Sequence, residues 1–579
     1  MMLNQQAPPT DHKRLLLAVG LSVAVISVWQ ILYPPVAPKA PPVTTPGAPP
    51  QSAATGEVAG ATPGPSTGSS SPAFAPETLR QVIVPEQFAF EVSSHDGQLS
   101  TVDLREGQYR KAAGPDAEAF RFVDRASPDA KRGVFLAPLL NLSIGDALLR
   151  GDFVLEGTEI SVVARHVDAA RKLEVERVYT VGETPHTLDM TVRLKNLGSA
   201  PLEYGLNAEL RGAQNDKEAE GRFMAAPIYA FESICSRADG LERQSAVTVA
   251  ENQAEGGESL PRFTDSPSWA GIDNRYFMTA LAADSTGAAS CEFIVGRATA
   301  GVTEAQAAPG TSYLTTRLSL SGGTVAPGET VSRTFRLYAG PKKLLALDAV
   351  GPSLSAAVDF GIFSPICVSM LAALRWFFSL VPNWAVAIVL LTLLVKLLTL
   401  PLTHKQYKSM ASMRRLQPEL KGLQEKFKDD KMRLQSEMMG LYKKNGVNPF
   451  AGCLPVVMMM PIYMALYSTI QSAVELYQAE MGLWIHDLSE PDPFFVLPII
   501  LGGFFILQTR LSPPAGDEMQ QKMMLWFMPL MFTAMMLFLP AGLVVYILAN
   551  TLLGIAQQSY MNKAATAATP VPVPARGRS

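Results

Sequence analysis

The chain has 579 residues, with 49 Lys and Arg against 52 Asp and Glu for a net charge of -3, a balance that excludes a general nucleic-acid binder. Charged residues make up 17% of it, against roughly 25% in an ordinary soluble chain, so it is not one soluble globule. Its four cysteines, Cys235, Cys291, Cys367 and Cys453, are too few for a disulfide-stapled scaffold and match no zinc spacing, so no metal site is expected.

Residues 15–33 are an uncharged apolar run preceded by Lys13 and Arg14. That length crosses a hydrocarbon core of roughly 30 Å, and the exit through Tyr33-Pro34-Pro35 lacks the small residues of a signal-peptide cleavage site. Residues 1–33 are therefore expected to be an uncleaved transmembrane anchor whose basic flank stays in the cytoplasm. Residues 34–76 are Pro, Ala, Gly, Ser and Thr with almost no large apolar side chain, which predicts an unfolded linker.

From 77 to 343 the pattern has a period of two: Leu188, Met190, Val192 and Leu194 alternate with Asp189, Thr191, Arg193 and Lys195. Many such short runs, divided by Gly, Pro, Asn and Asp, predict an antiparallel β-sandwich on the extracytoplasmic side. It carries no catalytic motif. His95, His166 and His186 stand singly and are expected at the surface. Cys235 and Cys291 both fall here, and the sequence leaves open whether they pair in an oxidising compartment.

Within residues 344–382, the segment 364–382 sets Arg375 among aromatics and is expected to lie as an amphipathic helix in the membrane interface. Residues 383–403 read as the second span, 453–562 hold the third to sixth (453–474, 494–509, 523–539 and 543–560), and 563–579 are a tail. Six crossings put both termini in the cytoplasm. Charge supports that orientation: the loop 404–452 has eleven Lys and Arg against five acids, whereas the segment after the third span has Glu480, Asp487, Glu490 and Asp492 and no Lys or Arg.

The basic loop is itself patterned. Met413, Leu416, Leu420, Leu423 and Phe427 recur at three-to-four spacing, Lys428-Asp429-Asp430-Lys431 turns the chain, and Leu434, Met438 and Leu441 resume until Gly446 and Asn448-Pro449. Two helices of roughly 20 residues in an antiparallel, coiled-coil-like hairpin about 30 Å long are expected to form a docking arm.

Lys396 stands inside the second span, roughly 20 Å from its start at Asn383. An ammonium at that depth costs on the order of 2.5–3.5 kcal/mol and marks a function or a partner. Thr392, Lys396, Thr399 and Thr403 fall on one helix face, a polar stripe that predicts a wetted cavity facing the cytoplasm. Gln508, Asn550 and Gln557 either help wet such a cavity or pack helices together. Methionines crowd the third span (Met458, Met459, Met460 and Met464) and the fifth (Met523, Met524, Met528, Met531, Met535 and Met536). Flexible, polarizable side chains suit both a surface that accepts many sequences and ordinary packing.

The stretches NWAVAIVLLTLLVKLLTLPLTHKQYKSM, MRRLQPELKGLQEKFKDDKMRLQSEMMGLYKKNGVNPFAGCLP, MPIYMALYSTIQSAVEL and MQQKMMLWFMPLMFTAMMLFLPAGLVVYILAN resemble, in that order, the YidC-type membrane protein insertases. The anchor, linker, β-rich domain ending FRLYAGPKK and interfacial helix match the long Gram-negative form. The resemblance implies a polytopic α-helical protein of six spans. Five helices form a core around a hydrophilic groove, open to cytoplasm and lipid, with an extracytoplasmic antiparallel β-supersandwich. It implies Lys396 as the groove cation, where the family often has arginine, and Thr392 one turn deeper. It also implies Met460, Pro461, Pro529, Thr533 and Met535 as the greasy face along which clients slide. The implied partners are nascent membrane proteins, the Sec translocon, the ribosome and the lipid bilayer, with no cofactor, no metal, no enzymatic activity and no nucleic-acid substrate. The implied location is the bacterial inner membrane, with a large periplasmic domain that is expected to be separable from insertion.

Against this, a secondary transporter would need a closed midplane site with internal repeats, and an ATP-driven pump a phosphate-binding loop; the sequence has neither. A membrane-tethered carbohydrate enzyme would need paired carboxylates that the sequence does not establish.

Overall fold

The alternation at residues 188–194 builds the strand Thr187–Asn196, whose Leu188, Met190, Val192 and Leu194 are at most 2% exposed. Arg193 and Lys195 of the same strand face solvent, as a two-residue period requires. The computed structural model describes residues 76–567 except 86, 110–119, 125–133, 220–226, 228–229, 239, 256–261, 284–287, 300–306, 352, 428–429, 446–453 and 512–521. The expected anchor and linker, Cys453, the helix stop at 446–449 and the tail beyond 567 therefore lie outside the described residues.

The described strands form two sheets. One has ten strands, running from Leu79–Val84 through Val134–Ile144, Leu202–Asn215 and Thr311–Val325 to Arg262–Phe263. The other has nine, running from Gly240–Ser245 through Trp269–Asp273, Phe277–Ala282, Thr330–Pro341 and Thr187–Asn196 to Val154–Gly157. Their inner faces share one apolar core that includes Phe90, Val102, Leu210, Phe293 and Leu337. One pairing departs from the antiparallel expectation: Phe120–Asp124 runs parallel to Val134–Ile144, with Val123 opposite Phe135.

The helical half is labelled in chain order: α1 Ser364–Leu380, α2 Trp384–Lys426, α3 Lys431–Lys444, α4 Leu454–Ser472, α5 Val496–Leu511, α6 Met528–Met536 and α7 Ala541–Ala567. Among the described residues, three helices are long and apolar enough to cross a bilayer: Gly361–Leu380, Trp384–Pro401 and Ala541–Met561. Length and composition thus allow the segment read as interfacial to cross as well. The apolar helices Val496–Leu511 and Met523–Met536 are shorter, and the latter opens with a π-helical turn, Met523–Phe527.

The hairpin differs from expectation in its arms. The first is no separate helix: α2 runs for 43 residues through Pro401 and Pro418, about 65 Å at 1.5 Å per residue. The onset of charge after Thr403 is therefore not a helix end. The second arm has 14 residues, capped by Asp430, whose side chain accepts from the Arg433 N–H at 3.0 Å. Leu416 is buried, and Leu420, Leu423, Phe427, Leu434, Met438 and Leu441 are half-buried. Tyr442, at 9% exposed, adds to them.

Residues 72–579 form one compact unit, and its two cores interlock. Ile234, Trp269, Met278 and Tyr338 of the nine-stranded sheet belong to the helical core. Val474 and Tyr477, which follow α4, belong to the sandwich core.

Candidate functional site

Asn383 starts α2 by accepting from the Val386 N–H at 3.1 Å, a cap that fixes where the helix begins. Three turns in, Lys396 is half-buried. Among the described residues no carboxylate pairs with it. Its head faces a glycine: a Cβ on Gly554 of α7 would sit 3.8 Å from Lys396 Nζ and 3.4 Å from Gln508 Nε2 of α5, at ordinary contact distances. Three helices thus meet at one ammonium. One and two turns further on, Thr399 is 8% exposed, and Gln557 Nε2 donates to Thr403 Oγ1 at 2.7 Å, tying α7 to the inner part of α2.

The polar stripe is less wet than its composition implies. Thr392 is 1% exposed, and its hydroxyl donates to the Ile388 carbonyl at 2.7 Å. Thr399 and Thr403 likewise donate to Val395 and Thr399 carbonyls of their own helix. Threonines that satisfy themselves one turn back place little demand on water, which leaves Lys396 as the polar element of this face that the helix does not itself satisfy. Asn550 Nδ2 donates to Tyr463 Oη of α4 at 3.4 Å, a helix-packing contact.

The other expected residues lie on α4 and α6. Pro461 is half-buried on α4, and the side chain of Met460 lies outside the described residues, as do those of Met458 and Met459. On α6, Pro529 is buried and Met535 packs against the helical core. Thr533 donates to the Pro529 carbonyl at 2.7 Å and lies against α5. A Cβ on Gly502 would meet Thr533 Oγ1 at 2.3 Å, so this glycine is what lets α5 and α6 approach. Met523, Met524, Met528 and Met531 are exposed, while Met536 is 6% exposed. Gly502 and Gly554 were not singled out from the sequence; glycines inside apolar helices were the available signal.

The outer ends of the helices are laced together. Asp492, 1% exposed, accepts from Trp484 Nε1 at 3.0 Å, Phe494 N at 3.0 Å and Leu497 N at 2.7 Å, and so caps α5. Ala541 N donates to Glu490 O at 2.7 Å and Gly542 N to Leu488 O at 2.9 Å, binding the start of α7 to the same loop. Asn383 Nδ2 donates to Met481 O at 3.2 Å. Arg375 of α1 pairs with Glu475 through Nε at 2.7 Å and through its Nη2.

The sandwich reaches into this lacing. Gln108 Nε2 donates to the carbonyls of Val474, Glu475 and Tyr477 at 3.2, 3.1 and 3.0 Å, and the Tyr477 ring packs among Tyr109, Tyr276 and Phe277. Beside it, Glu106 lies 2.7 Å from His186 and in contact with Lys343. Burial opposes the Glu106 charge, but hydrogen bonds from His186 and Lys343 outweigh it and hold the carboxyl below the usual carboxylate range. His186, 3% exposed, is therefore not the surface histidine expected. Removal of the β domain would strip Tyr477 and Val474 of their core.

A family model described as 60Kd inner membrane protein matches residues 376–568, and one described as YidC periplasmic domain matches residues 80–372. The chain is similar to the membrane protein insertase YidC of Anaeromyxobacter sp. (strain Fw109-5), with 34% identity covering 98% of this chain and 99% of the relative. It is also similar to that of Pelobacter propionicus, with 31% identity covering 95% and 99%. A solved structure of YidC from Thermotoga maritima superposes at a TM-score of 0.30 with 14% identity, covering 82% of this chain and 96% of that one.

Proposed function

The chain belongs to the YidC family of membrane protein insertases, and from that premise we propose that Lys396 is the charge by which it captures clients in a groove open to the cytoplasm. It is an inner-membrane protein with a periplasmic β-rich domain, and its substrates are membrane proteins delivered to the bilayer. The observation that carries the proposal is the half-buried ammonium at the meeting of α2, α5 and α7, with no carboxylate partner among the described residues. The laced outer ends support an opening on the opposite side only.

In this reading a short acidic external segment of the client is drawn to Lys396. The apolar segment that follows then slides to lipid along Met460, Pro461, Pro529, Thr533 and Met535. The spans 383–403 and 453–562, with the N-terminal anchor, make six crossings with both termini cytoplasmic, and α1 lies in the outer interface with Arg375 tied to Glu475. The α2–α3 hairpin, on a net-basic loop, receives nascent chains at the ribosome, and the protein acts alone or beside the Sec translocon as an insertase and chaperone without enzymatic turnover. Two unit charges at 4 Å interact by about 4 kcal/mol at an effective dielectric of 20, before desolvation and ordering are deducted. A fraction of that biases capture.

The test is insertion, at matched expression, of an acidic-tailed client and its neutralised variant. Lys396→Arg retains activity, Lys396→Ala impairs the acidic-tailed client most, and Lys396→Glu is worse still for it. Equal loss for both clients rejects charge pairing in favour of a hydration or packing role.

A further inference from the structure

Cys235 and Cys291 stand on opposite sheets of the sandwich. Cys235 lies on Glu232–Arg237 of the nine-stranded sheet and Cys291 on Ala288–Gly296 of the ten-stranded one, and both are 0% exposed in the same core. The two sheets are hydrogen-bonded to each other at this point. Ser233, two residues before Cys235 and so on the same face, accepts a 2.9 Å hydrogen bond from Thr316 of the facing sheet, and Thr316 also reaches the Gly271 carbonyl at 2.8 Å. Thr316 is the register partner of Phe293, and Cys291 sits two residues along that strand, opposite Leu318, on the same inner face. Cys235 and Cys291 therefore stand beside the Ser233–Thr316 contact, facing each other from the two sheets in one core as free thiols.

We propose that Cys235 and Cys291 are an oxidation site, joined as a disulfide across the two sheets when the domain folds in the periplasm. The domain matches the family's periplasmic domain over residues 80–372, and that compartment is oxidising. The bond forms before the sheets close, because in the folded domain no oxidant reaches either sulfur. Burial, and then the neighbouring Cys235, also push the Cys291 thiol well above its ordinary range, which removes the thiolate that exchange needs. The oxidant is a disulfide, either that of a periplasmic dithiol oxidase or a small-molecule disulfide. One cysteine thiolate attacks it, forming a mixed disulfide and expelling one thiol. The second thiolate attacks the protein-side sulfur and expels the other, so two protein thiols lose two protons and two electrons while the oxidant disulfide becomes two thiols.

The full-length protein is taken from its native membrane into acid, denatured, and alkylated without reductant before digestion. The expected result is a linked peptide containing Cys235 and Cys291, with Cys367 and Cys453 alkylated. Recovery of Cys235 and Cys291 as alkylated thiols, or as mixed disulfides with an outside thiol, overturns the proposal. A second measurement does not depend on that digestion. With reductant present throughout the heating scan of the full-length protein, so that the bond is cut in molecules that open, the apparent Tm of wild type falls by on the order of 5–10 °C, and that of Cys291→Ala does not. A wild-type Tm indifferent to reductant likewise overturns it.

Discussion

The two ends of the helical core are built on opposite principles. At the outer end the described polar groups are tied across segments: Asp492 holds Trp484 and caps α5, Glu475 holds Arg375, and Gln108 bridges three carbonyls. Around Lys396 the threonines turn back on their own helix and Gly554 faces the ammonium. Interlocked contacts resist opening because breaking one strands its buried partners. Near Lys396 the Gln557–Thr403 bond at 2.7 Å joins α7 to α2, but the three threonine hydroxyls stay satisfied by their own helix, so parting the helices there strands fewer groups than opening the outer end.

The largest effects are expected where the sandwich and the core interlock. Glu475→Ala leaves Arg375 unpaired at a mostly buried position, and Tyr477→Ala empties a site lined by three aromatic rings. Each should destabilise the outer end by about 3–5 kcal/mol. Limited proteolysis of the purified protein, read at residues 474–492, checks this. Wild-type resistance in both variants would mean that the lacing does not hold the outer end.

A smaller effect follows from Asp487, which accepts from Gln478 N at 3.1 Å and Ser489 N at 2.7 Å. Burial, with a further contribution from the charge of Glu490, pushes its carboxyl up to about 6 from an ordinary 3.8. A raised folded-state value means that the neutral form is favoured in the folded loop. The stabilisation is complete below about pH 4, where the unfolded chain is also protonated, and is lost as pH rises through about 6. Asp487→Asn keeps an oxygen to accept both N–H groups and removes the charge. It should stabilise the loop at pH 7 by about 1–3 kcal/mol and match wild type near pH 4. Thermal unfolding in detergent across that range checks this, and a difference independent of pH would exclude titration of Asp487 as the cause.

Legibility in the sequence followed the range of the interaction. Alternation over residues 188–194 and the Lys396 stripe are local patterns, and both elements form where the sequence puts them. The contacts of Gln108 with residues 474–477 and of Arg375 with Glu475 span about 370 and 100 positions. No periodicity records a pairing at that distance, so His186 read as a surface residue and the sandwich as an appendage. The hairpin was misjudged for a different reason. A change from apolar to charged sequence reads as an element boundary and prolines are expected to break helices, yet the backbone of α2 continues through both. The Thr392 hydroxyl shows the converse limit: the pattern gives its face, but only the structure shows that its hydrogen bond is already made.

The smallest effect isolates the inner end. A methyl on Gly554 would meet Lys396 Nζ and Gln508 Nε2 at ordinary contact distances of 3.8 and 3.4 Å, so Gly554→Ala should fold and insert as wild type. A leucine side chain would have to occupy the space that the ammonium now uses, pushing Lys396 off its position without removing its charge. Gly554→Leu should therefore lower insertion of an acidic-tailed client by about tenfold, equivalent to about 1.4 kcal/mol, while the outer end keeps its protease resistance and a neutralised client is little affected. If Gly554→Leu loosened the outer end as much as Glu475→Ala does, the two ends would be one cooperative unit. The division between a fixed outer lacing and a separable inner face would then be wrong. If it spared both clients, the position of the lysine within the helix triad would not matter, and its charge would act at longer range.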